Sequence, residues 1–340
     1  MALSDAEQVF GEVAKRLGVD AVRIPDGETG ERRTPFPVRP GMLEAVRTTP
    51  GLVYRRSISL MGLDMKLFGL AASAQPDDIK INSMGFADAA KTSYDLFVRL
   101  RGEGRIPSGV RMQVSIPSPV MIGMCFVAPE EIPALLPAFI RLMTREMLEI
   151  ADYIPHEDLA VQWDVAPEIT EVLEAKDSQL AGTITREMIV SAIATATDSV
   201  PPDIQTGWHL CYGDSGVSTD EVETEHSVQP KDLGVVVDLA NELCALIKRQ
   251  VDWVHVPVPR DRNDDAYYAP LERLKLKPGM RLFLGLVHKY DGLDGAERRI
   301  AAARKFYPSF GVGTECGMGR RRPGDIPELL DLHHQIAAML

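Results

Sequence analysis

Ile204-Gln205-Thr206-Gly207-Trp208-His209-Leu210-Cys211 is followed by a helical stripe from Lys231 to Arg249 and then by Trp253-Val254-His255-Val256-Pro257-Val258. The two flanking runs are short, apolar and rich in β-branched or aromatic residues, as strands buried on both faces are. Between them Val235, Leu239, Leu243, Leu246 and Ile247 fall on one helical face, and Lys248-Arg249 suit the negative end of the helix dipole. A strand, a crossover helix and a second strand make one parallel βα unit.

The same alternation runs through the rest of the chain. Further strands are expected at Ala21–Pro25, Ile79–Ser83, Val110–Ile116, Leu159–Asp164, Arg281–Val287 and Phe310–Thr314, with Val53–Leu60 a weaker ninth candidate. Helical periodicity predicts helices over Phe86–Arg101, Pro129–Ile154, Thr185–Ala196, Gly295–Phe306 and Ile326–Leu340. Of these, Pro129–Ile154 opens with a favourable Pro-Glu-Glu turn and lays Ile132, Leu135, Leu136, Phe139, Ile140, Leu142 and Met143 on one broad apolar stripe. About eight strands, each followed by a helix, predict an α/β fold, a (β/α)8 TIM barrel. The expectation is one domain over residues 1–340, with an N-terminal helix in residues 1–19 packed on the barrel. A doubly wound open sheet is the competing architecture. Its nucleotide fingerprint is missing: the first strand is followed by Asp26-Gly27-Glu28-Thr29-Gly30, neither GxGxxG nor GxxxxGK(S/T). Thr34–Gly41, Gly102–Gly109 and Ser199–Pro202, rich in Pro and Gly, read as loops within the domain.

The 340 residues carry 37 Lys+Arg against 49 Asp+Glu, a net charge of -12. Such a field repels phosphate backbones, and Arg320-Arg321-Arg322 is too short a run to reverse it, so nucleic acid is not an expected partner. With 45% hydrophobic and 25% charged residues the composition excludes disordered and fibrous classes. No run approaches ~18 apolar residues, and Asp5 and Glu7 stand where a signal peptide would be basic and then apolar. A cytoplasmic protein without a membrane partner is therefore expected. The cysteines, at 125, 211, 244 and 316, are too few and too scattered for a disulfide framework. Cys125 in the apolar run Met121–Val127 and Cys244 on an apolar helix face read as packing residues.

In a βα barrel the C-terminal ends of the strands build the active site. With a side-chain period of two, His209 and Cys211 share a face while Leu210 points the other way. The last strand runs into Thr314-Glu315-Cys316-Gly317, and barrel closure would bring Cys316 to the same rim. One imidazole and two thiolates form a borderline-soft donor set suited to zinc, and a catalytic zinc takes three protein ligands and keeps a position open. His209, Cys211 and Cys316 are the candidate metal ligands. Gln162-Trp163-Asp164 ends the fourth strand, with Glu168 just beyond. A carboxylate where an apolar strand stops suits a substrate ligand or general base, a helix cap being the alternative. Asp26, Glu28, Arg32 and Arg33 follow the first strand beside two glycines; Arg260 follows the sixth, which carries His255, and His288, Tyr290 and Asp291 follow the seventh. Asp164, Glu28 and Arg260 are the candidate catalytic residues, and Asp26, Arg32, Arg33, Glu168 and His288 the candidate substrate contacts.

In these motifs the chain resembles the uroporphyrinogen decarboxylase/cobalamin-independent methionine synthase superfamily, and within it the C-terminal zinc barrel of the synthase, from the first strand to the C-terminus. His209-Leu210-Cys211-Tyr212 is similar to the zinc-binding HxCY of that family's fifth strand, and Glu315-Cys316-Gly317 to the DCG of its eighth. Gln162-Trp163-Asp164 is similar to a strand whose aspartate binds the amino group of homocysteine. The chain departs from the pattern at the sixth strand, where Pro257 stands in place of a glutamate ligand while Arg260 is matched. It departs again at the first, where Pro25-Asp26-Gly27-Glu28 replaces an Ile-Gly-Ser. The synthase's N-terminal, folate-binding barrel has no counterpart in this length. The resemblance implies a zinc-dependent methyl or alkyl transferase acting on a zinc-activated thiol, methionine-synthase-like but without folate-dependent methionine synthesis. Its partners would be a small-molecule thiol and an alkyl donor, the latter a small molecule or a corrinoid protein.

Two other readings stay open. A metal-independent, uroporphyrinogen-decarboxylase-like lyase would apply Arg32, Arg33 and Asp164 to a carboxylated substrate. A non-catalytic zinc barrel would close the metal site with His255 or His288. A homodimer is likewise left open.

Overall fold

The computed structural model describes residues 1–60, 63–175, 180, 182–213 and 227–340. Nine strands run through them: β1 (Arg23–Pro25), β2 (Leu52–Leu60), β3 (Leu63–Leu70), β4 (Arg111–Pro117), β5 (Leu159–Val165), β6 (Gln205–Leu210), β7 (Trp253–Pro257), β8 (Arg281–Val287) and β9 (Gly311–Thr314). Seven form one parallel sheet in the order β1-β4-β5-β6-β7-β8-β9, and β2 and β3 form a separate antiparallel hairpin. The helices are α1 (Ala6–Leu17), α2 (Pro40–Arg47), α3 (Phe86–Gly102), α4 (Pro119–Phe126), α5 (Ile132–Tyr153), α6 (Arg186–Asp198), α7 (Gly234–Leu246), α8 (Asp265–Tyr268), α9 (Gly292–Arg304) and α10 (Ile326–Ala337). Strands and helices alternate from β4 onward, the pattern expected of parallel βα units, although only the four-residue α8 and a short 3-10 turn join β7 to β8. The sheet strands are sandwiched: Trp163 on β5 and Trp208 on β6 are fully buried. α1 starts where Asp5 accepts a hydrogen bond from the Gln8 N–H, and it packs against α10 and α3. No helix among the described residues is long and apolar enough to cross a membrane.

The sheet is curled. Arg23 on β1 places its guanidinium 3.8 Å from the ring centre of Trp253 on β7 and 5.1 Å from that of Phe283 on β8. β7 lies four strands away from β1 in pairing order, and a flat sheet at ~4.8 Å per strand would hold the two roughly 19 Å apart. Arg23 thus lies across an interior filled with side chains, and burial lowers its pKa to about 10. The architecture is α/β and TIM-like, with helices around a curled parallel sheet.

Seven strands stand where eight were expected, and among the described residues no ladder joins β9 back to β1. Ile79–Ser83 is not a strand, and β1 pairs directly with β4, Ile24 opposite Met112. The cause is a row of charged side chains on α5. Arg141 Nη2 donates to the Ile79 carbonyl at 3.2 Å and Arg145 Nη2 to the Ile81 carbonyl at 2.8 Å. Glu146 accepts from the N–H groups of Met84 at 2.7 Å and Ala87 at 2.9 Å. Side chains thus satisfy backbone groups that a sheet would otherwise pair, while Ile79 and Ile81 are still buried.

The weak ninth candidate is real, as β2, but it pairs with β3, which was not expected because its alternation dissolves into Leu67-Phe68-Gly69-Leu70. Part of the expected loop Thr34–Gly41 begins α2. The apolar run around Cys125 is α4, masked in the sequence by Pro119 and Gly123; Ser118 caps it by accepting from the Met121 N–H at 3.0 Å.

Candidate metal centre

The register of β5, β6 and β7 sets Asp164 opposite His209 and His209 opposite His255. Neighbours on one rung of a parallel sheet share a face, so the three side chains line up across the C-terminal ends of their strands. Cys211 follows two residues after His209 and returns to the same face; its N–H is anchored to the Val165 carbonyl at 2.7 Å. Cys316 lies two residues beyond the end of β9. Ligand atoms of His209, Cys211 and Cys316 all lie within 4.8 Å of one another, and the two Sγ atoms are 3.4 Å apart as free thiols. Sulfurs held at ~2.3 Å from a tetrahedral zinc would stand ~3.8 Å apart, so the donor set fits that ion after a shift of about 0.4 Å.

Contact with the Cys211 thiol, together with burial, holds the Cys316 thiol well above its ordinary pKa, and only His209 pulls the other way. Like charges this close repel, so a positive ion against the sulfurs would favour the thiolate form. His209 Nδ1 is 2.7 Å from His255 Nδ1, which leaves Nε2 for the thiol side. Burial and then the His209 ring hold His255 well below the ordinary histidine value, in its neutral form.

An acidic wall flanks the three donors. Burial raises Asp164, against the pull of His209 and of the Gln162 amide 2.9 Å away. Burial also raises Glu28, with Arg32 and Arg39 opposing and the Asp164 charge adding, so Glu28 and Asp164 feel one another across the mouth of the sheet. Glu28 sits at φ 47°, a left-handed conformation rare outside glycine, and its carboxylate is 3.7 Å from Arg32. Behind it, burial pushes Asp26 up, but the Arg32 guanidinium and the Ser93 hydroxyl outweigh it and hold the carboxyl low.

No protein-family model matches the sequence, and no curated protein gives a significant match. Among solved structures the fold resembles that of a Listeria monocytogenes protein provisionally described as a vitamin-B12-independent methionine synthase. The TM-score is 0.57 over 98% of this chain and 86% of that one, at 12% sequence identity. What the two chains share is the fold.

Of the residues expected at the site, His209, Cys211, Cys316, Asp164 and Glu28 converge, with Asp26 and Arg32 behind Glu28. The others lie elsewhere. Arg33 is exposed and donates to the Gly319 carbonyl at 2.9 Å. Arg260 is exposed, its guanidinium 6.0 Å from the Tyr290 ring centre. Glu168 is sealed in the protein, accepting from Ser118 Oγ and from the N–H groups of Met121 and Ala166, and burial pushes its carboxyl up to about 7. His288 is buried, with Nε2 2.8 Å from the Val258 carbonyl and Nδ1 3.5 Å from Glu315. Arg321, read in the sequence as part of a short basic run, is buried and ion-paired with Glu315 beside Cys316. Only the neighbouring opposite charge could have signalled that pair. Cys125 and Cys244 stand apart on α4 and α7, where burial raises both thiols, Cys125 to about 12.

Proposed function

We propose that this protein is a zinc-dependent transferase that moves a methyl or other alkyl group onto a thiol, in the manner of methionine synthases but without folate. The observation that carries the reading is the convergence of ligand atoms of His209, Cys211 and Cys316 within 4.8 Å, on strand ends where Asp164 is the register partner of His209. Zinc held by one neutral imidazole and two thiolates would supply a formally neutral centre at which an incoming thiol loses its proton near neutral pH. His209, Cys211 and Cys316 would hold the ion and leave a position open for substrate. His255 is turned to His209, and His288 to Glu315 and the Val258 carbonyl, which weighs against either as a closing fourth ligand. Asp164 and Glu28, both half-buried and raised by desolvation, favour a cationic partner and so orient the amino end of the thiol substrate. Asp26 and Arg32 hold the turn that presents Glu28. The alkyl donor is a small molecule or a corrinoid protein. The lyase reading needs Arg32 and Arg33 at the substrate, and their guanidinium groups are engaged with Asp26 and Gly319.

Metal analysis of the purified chain tests the proposal. Near-stoichiometric zinc is expected in the parent and its loss in Cys211→Ser; zinc that persists in the variant overturns the ligand assignment. Full activity on a carboxylated substrate after chelation would favour the lyase.

A further inference from the structure

We propose that His255 is a positioning residue that fixes the His209 ring for metal binding, with the proton on Nδ1 and the Nε2 lone pair toward the two thiols. The inference rests on the zinc reading above and adds a residue to it. The two rings are register partners on β6 and β7, with centroids 4.8 Å apart, planes tilted by 36° and Nδ1 atoms 2.7 Å apart. A contact between two imidazole nitrogens needs one proton between them, so one ring donates and the other accepts. The far side of His255 decides which. The nitrogen that does not face His209, Nε2, lies toward the Thr314 carbonyl, the two atoms closing on the same point beside Gly285. A carbonyl oxygen only accepts, so His255 Nε2 must carry the proton. A ring that binds a metal through Nε2 keeps its proton on Nδ1, so His209 donates the shared proton and His255 Nδ1 accepts it. His209 Nε2 is thereby bare on the side of Cys211 and Cys316.

The slot around His255 is cut for this purpose. A Cβ on Gly285 would lie 3.0 Å from His255 Nε2 and 2.8 Å from the Thr314 carbonyl, and one on Gly313 would lie 3.3 Å from the same nitrogen. Glycines on β8 and β9 therefore admit the ring between the strands. Thr314 Oγ1 in turn donates to the Cys316 carbonyl at 2.6 Å. The short strand that delivers the Cys316 thiol also sets, through Thr314 and His255, the tautomer of the His209 ligand. Partners of this kind commonly change metal affinity 10- to 100-fold when removed.

The test uses the full chain with zinc, competed against a chromophoric chelator. His255→Leu keeps the bulk and removes the acceptor, and zinc affinity is expected to fall about 10- to 100-fold. His255→Asn restores an oxygen near the Nδ1 position and should recover most of the loss, which a purely space-filling role would not predict. Parent-like zinc affinity in His255→Leu overturns the inference while leaving the zinc reading intact. Failure of the parent itself to bind zinc overturns the zinc reading, and the inference with it. Should the leucine variant not fold, nitrogen-15 NMR of the histidines in the zinc-loaded parent decides: a protonated His209 Nδ1 supports the assignment, and a protonated Nε2 overturns it.

Discussion

Gly207 lies on β6 opposite Trp253 of β7, and a Cβ there would sit 2.2 to 2.5 Å from atoms of the indole. The indole cannot step aside freely. Arg23 stacks on it at 3.8 Å, and its Nε1 approaches the Gln162 amide oxygen at 3.4 Å. Gln162 also donates to Asp164, so this one missing methyl supports a layer that reaches the acidic wall of the site. Gly207→Ala is expected to cost about 1–3 kcal/mol through overpacking, read as a lower denaturant midpoint. An unchanged midpoint would mean that the indole finds another place. At this scale the pairing of His209 with Cys211 in the candidate metal centre was legible in the sequence, because alternation along a strand puts the two on one face whatever surrounds them. His255 was visible only as a strand histidine able to close a metal site as a fourth ligand. Its role depends on the register of β6 against β7 and on Thr314 of β9, and no single segment encodes either.

α5 shows why the periodicity of the elements was readable while one strand was not. Its stripe of apolar residues at helical spacing predicts the helix, observed over Ile132–Tyr153. Its charged residues, which look like an ordinary solvated face, instead carry the backbone of residues 79–87. Glu146 is 1% exposed and accepts from Ser83 Oγ, Met84 N–H and Ala87 N–H. It supplies the first turn of α3 with an acceptor from another helix, since Gly85 at the N-cap offers no side chain. Apolar alternation at Ile79 and Ile81 correctly reported burial and wrongly implied pairing, because a buried extended segment can draw its hydrogen bonds from side chains. Replacing Glu146 with Ala strands two backbone donors away from water. The expected loss is about 2–4 kcal/mol, from ~1–3 kcal/mol for an unsatisfied buried group together with the cap. Hydrogen exchange locates it: the amides of Met84 and Ala87 should lose protection before those of β5 and β6. Uniform loss of protection, or none, would contradict the local role.

Across the whole molecule, closing helices around the sheet buries Glu168 and half-buries Asp164 and Glu28, and the desolvation raises all three in a chain already at net charge -12. Stability therefore carries a term that falls as pH rises. For Glu168 the ordinary value is 4.5 and the folded value about 7. Below the lower value the group is protonated in both the folded and the unfolded chain. Between the two, the unfolded chain has released its proton and the folded chain has kept it, so each step upward in pH favours unfolding. Above the folded value the deficit is constant, at most about 3 kcal/mol for a shift of this size. The N-terminal amine, lowered to about 6 by burial, has the opposite sign over its own range, since the unfolded chain there holds the extra proton. A single pH profile would mix the two. The difference between the parent and Glu168→Gln removes every contribution but one, leaving a constant offset for the altered hydrogen bonds to Ser118, Met121 and Ala166. Measured by denaturant unfolding at pH 5 and pH 8, the variant should gain on the parent by up to about 3 kcal/mol over that interval. A difference that does not move with pH would mean that Glu168 is ionised in the folded chain, held as a carboxylate by the hydroxyl and two N–H groups that face it.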